Sequence, residues 1–220
     1  MSTSTASDRA GRARSIYKRL RPEYPKTLSF LDFGTPWQLL VATVLAAQCT
    51  DERVNQVTPE LFRRWPGPGE LAGADREEVE AVIRSTGFYR QKAKNLQAAA
   101  EKIVAEHGGG LPPTMEEMVA LPGVARKTAN IVLSQALGVV EGIAVDTHVK
   151  RLAFRLDLTD SDKPDKIERD LCEAFERDIW AEINQLLIHH GRAVCVARTP
   201  KCSICQANDL CPKKGVTKSA

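Results

Sequence analysis

Long hydrophobic runs are missing from this chain. No apolar stretch approaches the ~18 residues that a membrane-spanning helix needs, which excludes an integral helical membrane protein. Residues Met1 to Ala10 are rich in Ser, Thr and Ala and have no apolar centre, so they do not make a secretory signal and read as a short disordered tail. With no export signal, the expected compartment is the cytoplasm, in company with the nucleoid. Charge of one sign is also scarce: 31 Lys and Arg against 28 Asp and Glu leave +3, too little to identify a polyanionic partner by itself. Strand signals, in which apolar and polar residues alternate between Gly-rich turns, are almost absent, so the fold class is all-α.

What is present fits an ordinary globular protein: 220 residues, 43% hydrophobic and 27% charged, enough for one large domain or two small ones with a buried core. Helix punctuation is dense. Thr35-Pro36 caps an apolar run from Trp37 to Leu45. Thr58-Pro59 marks the restart of a short helix ending near Trp65, before a loop Pro66-Gly67-Pro68-Gly69. Asp75 with Glu78, and Thr114 with Glu117, have capping-box spacing. Residues 89–106 read as a helix closed by Gly108-Gly109-Gly110, and Ala125 to Leu137 as one closed by Gly138. Thr147 to Leu156, Pro164 to Phe175 and Ile179 to about Val194 complete a set of about ten short helices.

Charge and cysteine both concentrate near the C-terminal end. From Cys195 onward Arg198, Lys201, Lys213, Lys214 and Lys218 face only Asp209, a local basic segment that suits contact with a polyanion along a few loops. Four of the six cysteines follow C-x6-C-x2-C-x5-C at Cys195, Cys202, Cys205 and Cys211. In a reducing compartment such crowding favours a metal site over disulfides, and soft thiolates suit Zn²⁺ or iron–sulfur. Zinc sites usually show two tight pairs separated by a longer insert, whereas here only one C-x2-C pair exists.

The segment Leu121-Pro122-Gly123-Val124-Ala125-Arg126-Lys127-Thr128-Ala129-Asn130 reads as a helix, a glycine turn and a second helix. Backbone N–H groups at such a turn and at the second helix's N-terminus can hold a phosphate oxygen without reading base sequence.

The cysteine spacing and this hairpin together resemble the endonuclease III family of DNA glycosylases and AP lyases, over about residues 10–213. The resemblance implies a two-lobed helix-hairpin-helix glycosylase fold: a six-helix barrel domain over 29–140, and a second domain joining 1–28 to 141–220 with a cluster loop at 195–211. It further implies a 4Fe–4S cluster on the four cysteines, a monomer, and double-stranded DNA with damaged bases or abasic sites bound across the cleft between lobes. Lys127 matches the family's catalytic lysine, which attacks the sugar C1′, since only an amine gives a Schiff base from which β-elimination cuts the strand. Asp146, in Ala144-Val145-Asp146-Thr147-His148, matches the essential carboxylate, although Asp before Thr is also a good N-cap.

DNA contacts follow from the same resemblance. Gly123, Ala125 and Arg126 lie at the hairpin, and His148 is a phosphate or supporting contact. Arg198 and Lys201, between the first two cysteines, are phosphate contacts. Gln48 aligns with a wedge glutamine that bonds the orphaned base. Phe88, in Gly87-Phe88-Tyr89-Arg90-Gln91-Lys92, stands where the family commonly has Leu and is placed to enter the gap as the base is turned out. Asp51 is either near the lesion pocket or a helix cap. Ala125 departs from a pattern that favours Gly, a strain of roughly 1–2 kcal/mol if φ must be positive there.

The implied activity is removal of oxidised pyrimidines with strand cutting. Two alternatives remain at this level: a monofunctional mismatch or damaged-base glycosylase, and a non-enzymatic iron–sulfur DNA-binding redox protein. The monofunctional relatives lack the lysine and carry a carboxylate in the early helix, whereas Pro36 to Gln48 contains no acidic residue.

Overall fold

The computed structural model describes residues 5–25 and 29–220. The chain forms two compact units, Ser29–Glu141 and the pair of segments Met1–Leu28 with Gly142–Ala220. Among the described residues every regular element is helical, and no helix is long and apolar enough to cross a membrane.

The unit Ser29–Glu141 is organised around α2 (Pro36–Leu45), whose Trp37, Leu39, Leu40, Val41, Ala42, Val44 and Leu45 are buried. Thr35 accepts from the Gln38 amide and Pro36 occupies the first helical position, as the sequence indicates. A helix apolar on all sides must be surrounded. Here α3 (Asp51–Arg64), α6 (Tyr89–His107) and α8 (Arg126–Ala136) pack on it. The short helices α4 (Pro68–Ala72), α5 (Arg76–Ile83) and α7 (Met115–Val119) fill the periphery.

Two expectations fail in this unit. The helix expected to restart at Thr58-Pro59 instead begins at Asp51, with Thr50 as N-cap, and runs through Pro59 to Arg64. An internal proline costs about 3 kcal/mol. Burial of Val54, Val57, Thr58 and Leu61 on one face outweighs it, at roughly 1.5–3 kcal/mol for each large aliphatic side chain. Asp51 is therefore the first helical residue and not the cap. The expected Pro66–Gly69 loop already turns helical at Pro68, where Glu70 accepts from the Gly67 amide (3.0 Å).

The second unit holds α1 (Ala6–Leu20), α9 (Thr147–Arg155), α10 (Pro164–Ala174) and α11 (Trp180–Ala193). Ile16 and Leu20 of α1, Val149 and Leu152 of α9, Ile167 and Leu171 of α10, and Ile183, Leu186 and Leu187 of α11 are buried. Residues expected to be a disordered tail are helical from Ala6, because Thr5 and Asp8 form a reciprocal capping box. The part of that tail at residues 1–4 lies outside the described residues. Arg12 of α1 pairs with Asp157 at 2.8 Å, tying the helix to the turn after α9.

Candidate nucleic-acid interface

The hairpin is built by a turn that only glycine can make. α7 ends at Val119, and the Val124 amide returns to the Leu121 carbonyl (3.1 Å), with Leu121 and Val124 both buried beneath. Gly123 between them has φ +79°, and a Cβ there would stand 2.8 Å from both Cβ and Nδ2 of Asn95. Ala125 follows at φ −86°, ψ 164°, extended backbone that alanine adopts without strain, so this position does not require glycine. Its methyl lies at the N-cap of α8 and offers no capping oxygen.

Ala125, Arg126 and Lys127 are consecutively exposed at that helix start. Among the α-helices of the described residues, only α6 and α8 lack both a side-chain N-cap bond and an acidic residue in the first turn. Their positive dipole ends are therefore left for an external anion.

α6 starts at the other segment singled out in the sequence. Phe88 is its N-cap residue, 67% exposed, with left-handed φ +48°. Gln48 is likewise exposed and left-handed (φ +55°), in the turn that follows α2 rather than on the helix itself. Non-glycine residues in this region store about 1–3 kcal/mol each and tend to gather at functional sites. Beneath both turns lies Lys92, a residue sequence reasoning passed over. It is 6% exposed, and its Nζ donates to the carbonyls of Leu45 (2.7 Å) and Thr86 (2.8 Å).

In the second unit Asp146 is the N-cap of α9, its Oδ1 accepting from the Val149 amide at 2.7 Å. His148 is half-buried, with Nδ1 3.1 Å from Nη2 of Arg151. Burial pushes its pKa below the ordinary histidine value, Arg151 and Arg192 act in the same direction, and Asp146 opposes them. Gly191 of α11 makes room for this pair, since a Cβ there would meet His148 Nδ1 at 2.9 Å and Arg151 Nη2 at 3.0 Å.

The same face of α9 reaches the cysteine segment. Arg151 Nη2 donates to the carbonyls of Gly191 (2.9 Å) and Cys195 (3.1 Å). One turn on, Arg155 donates to Val196 O (2.8 Å), Ala197 O (2.6 Å) and Cys195 Sγ (3.3 Å). Neither arginine was singled out from sequence, although His148, Arg151 and Arg155 recur at helical spacing. That stripe was the available signal.

Cys195, Cys202, Cys205 and Cys211 line one cavity together with Arg155 and His190, closed by Leu152, Leu156, Val194 and Val216. The thiols surround this space. Among the described residues no three His, Cys, Asp or Glu side chains converge as they would on a single ion. Burial raises the Cys205 and Cys211 pKa values, so their thiolates need a compensating positive group. His190 is buried and held neutral, its pKa pushed down to about 4. It bridges Tyr24 Oη (3.1 Å) and Cys205 Sγ (3.4 Å).

The basic C-terminal segment is less available to a polyanion than its composition suggests. Lys214 is committed to Asp157 and Asp160, and Lys201, though exposed, donates to the Ala193 carbonyl (3.1 Å). The segment folds back through Ala220 N to Pro200 O (2.9 Å) and Ser203 N to Ala220 O (3.0 Å). Arg198 is exposed.

Known proteins are similar to this chain in sequence and fold. Residues 41–177 match the model of the HhH-GPD superfamily base excision DNA repair proteins. Endonuclease III of Synechocystis is 55% identical over 201 residues, covering 91% of this chain and 92% of that protein. Endonuclease III of Bacillus subtilis is 40% identical, covering 89% and 92%. The structure of a trapped endonuclease III–DNA covalent intermediate superposes with a TM-score of 0.87 at 36% identity, covering 93% of this chain and 96% of that one. A family match across more than half of the sequence, and relatives this similar over nearly their whole length, establish that the chain belongs to the HhH-GPD superfamily of base excision DNA repair proteins and, within it, to the endonuclease III family.

Proposed function

We propose that this base excision repair protein is a bifunctional DNA N-glycosylase and AP lyase that removes oxidised pyrimidines from duplex DNA, with Lys127 as nucleophile and Asp146 as its supporting carboxylate. The observation that carries this reading is the exposed amine of Lys127 in the first turn of an uncapped helix, directly after a glycine turn whose amides suit a phosphate. A relative of the same architecture has been trapped as a covalent intermediate with DNA, which fits an amine nucleophile.

The unprotonated Lys127 Nζ bonds to C1′ as the glycosidic C–N bond breaks, and the base leaves with the electron pair and gains a proton. Loss of the amine's proton and opening of the sugar ring give an imine. Removal of a C2′ proton then expels the 3′-phosphate, and water releases the enzyme. The Asp146 carboxylate, fixed by its capping bond, stabilises the sugar while it is cationic. Gln48 and Phe88 fill the space left by the turned-out nucleotide. In this reading Gly123, Ala125, Arg126, His148 and Arg198 serve as phosphate or supporting contacts, and Lys201 as one that must first leave Ala193. A DNA substrate sets the place of work at the nucleoid.

Four soft thiols around one cavity fit a 4Fe–4S cluster, held by Cys195, Cys202, Cys205 and Cys211. Cys195, Cys202, Cys205 and Cys211 would tie the loop together through such a cluster, whose positive core would offset part of the charge of the four thiolates. Arg151 and Arg155 orient the Cys195–Ala197 backbone for it.

The test is borohydride reduction during turnover on lesion DNA, which converts an imine into a stable amine. Wild type should be captured on the DNA, and Lys127→Ala should give neither capture nor nicking. Nicking by Lys127→Ala near the wild-type rate would refute the nucleophile.

A further inference from the structure

Two exposed side chains in unit Ser29–Glu141, Gln48 and Phe88, sit on separate turns in left-handed backbone conformation. Each turn is closed only locally, Cys49 N donating to Ala46 O (3.1 Å) and Gly87 N to Arg84 O (3.4 Å), and neither bond joins one turn to the other. What lies behind both is one buried ammonium. Lys92 Nζ donates to Leu45 O, three residues before Gln48, and to Thr86 O, two residues before Phe88. The backbone amide of Lys92 also bonds to Phe88 O at 3.0 Å.

A lysine on the first turn of an amphipathic helix ordinarily extends into solvent. Lys92 instead points inward among apolar residues, where burial lowers its pKa. Desolvating a charge is costly, and an apolar residue of the same length would fill the space without that cost. A methylene chain cannot, however, fix two carbonyls from different elements at one point. The ammonium can, because it carries three donors on a single atom.

We propose that Lys92 is a positioning residue for base extrusion: its buried ammonium locks the turn bearing Gln48 to the turn bearing Phe88, so that both side chains enter the duplex as one unit. The inference rests on the assignment of Gln48 and Phe88 to the lesion. Strained turns tied to each other need no reorganisation when DNA arrives, whereas untied turns must be ordered at the moment of insertion. Lys92 touches neither DNA nor the reacting atoms, and its effect passes through the two turns.

The test uses duplex DNA with 2-aminopurine directly next to one oxidised pyrimidine on the same strand, whose fluorescence rises when it loses that stacked neighbour. Lys92→Met keeps the length and removes the donors. It should slow both the fluorescence step and single-turnover base release by about tenfold or more, the scale of two lost hydrogen bonds to a charged group. Affinity for undamaged duplex, and borohydride capture on a preformed abasic site, should change much less. Lys92→Gln, which retains an NH₂ with two donors, should fall between the two and serves the same comparisons should the Met variant fold poorly.

A merely structural lysine would lower all four quantities together, and that result overturns the proposal. Gln48→Ala and Phe88→Ala separate the two levels of the argument. If they abolish the fluorescence step while Lys92→Met leaves it intact, the positioning role alone fails. If they leave the step unchanged, the lesion assignment fails and the positioning role with it.

Discussion

Asp146 Oδ1 accepts the Val149 amide at 2.7 Å, so the carboxylate proposed to assist catalysis is also the cap of α9. The two roles separate by substitution. Asparagine caps a helix about as well as aspartate, whereas alanine forfeits about 1 kcal/mol. Asp146→Asn should therefore leave the melting temperature nearly unchanged and slow single-turnover base release by roughly 10²–10³, the scale of a lost electrostatic group at a charged transition state. Asp146→Ala should match that rate loss and also melt about 2–4 °C lower. Equal rates for wild type and Asp146→Asn would leave Asp146 with its capping role only.

Arg155 controls the start of the cysteine loop. Its guanidinium, nearly fully buried, satisfies the carbonyls of Val196 and Ala197 and approaches Cys195 Sγ. Removing one partner of a buried hydrogen bond costs about 1–3 kcal/mol. Arg155→Met should yield a coloured protein that bleaches faster than wild type under a mild oxidant and is cleaved sooner by protease between Cys195 and Cys202. Cys202→Ala, by contrast, should be colourless from the outset. Bleaching of Arg155→Met at the wild-type rate would show that the loop is held without the clamp.

Features written in consecutive residues were legible before the structure. Thr35-Pro36 sets the start of α2, and Gly123 marks a turn that its φ of +79° and the closeness of Asn95 both demand. Features arising between distant residues were not. Pro59 looks like a helix start because its missing donor is a local property, while the burial of Val54, Val57 and Leu61 that carries α3 past it is a property of packing. Lys92 reads as surface charge until the end of α2 is folded over it. Lys214 reads as a free cation until Asp157 and Asp160 are brought beside it. The candidate site's motif residues can be read along the chain, whereas the residues that hold them can be read only from the packing.

Substitutions at Ala125 separate the stability of α8 from the phosphate contact proposed for its start. At φ −86°, ψ 164° it sits in ordinary N-cap geometry, where Asp would accept first-turn amides and Ala accepts none. α8 thus begins less stably than it could, with its amides and dipole left for a phosphate. Ala125→Asp should raise the melting temperature by about 2–4 °C, the effect of about 1 kcal/mol gained by capping. It should also weaken binding to lesion and undamaged duplexes by a similar factor, because a phosphate contact carries no lesion information. Ala125→Gly removes the methyl without occupying the amides, so it should tighten both complexes equally at level or slightly higher stability, glycine being the better cap of the two. Paired titrations of the three proteins on both duplexes at one salt concentration decide the matter. A stabilised Ala125→Asp that binds DNA as tightly as wild type would mean that the start of α8 does not meet the backbone, and Arg126 would then be the first residue to test for that contact.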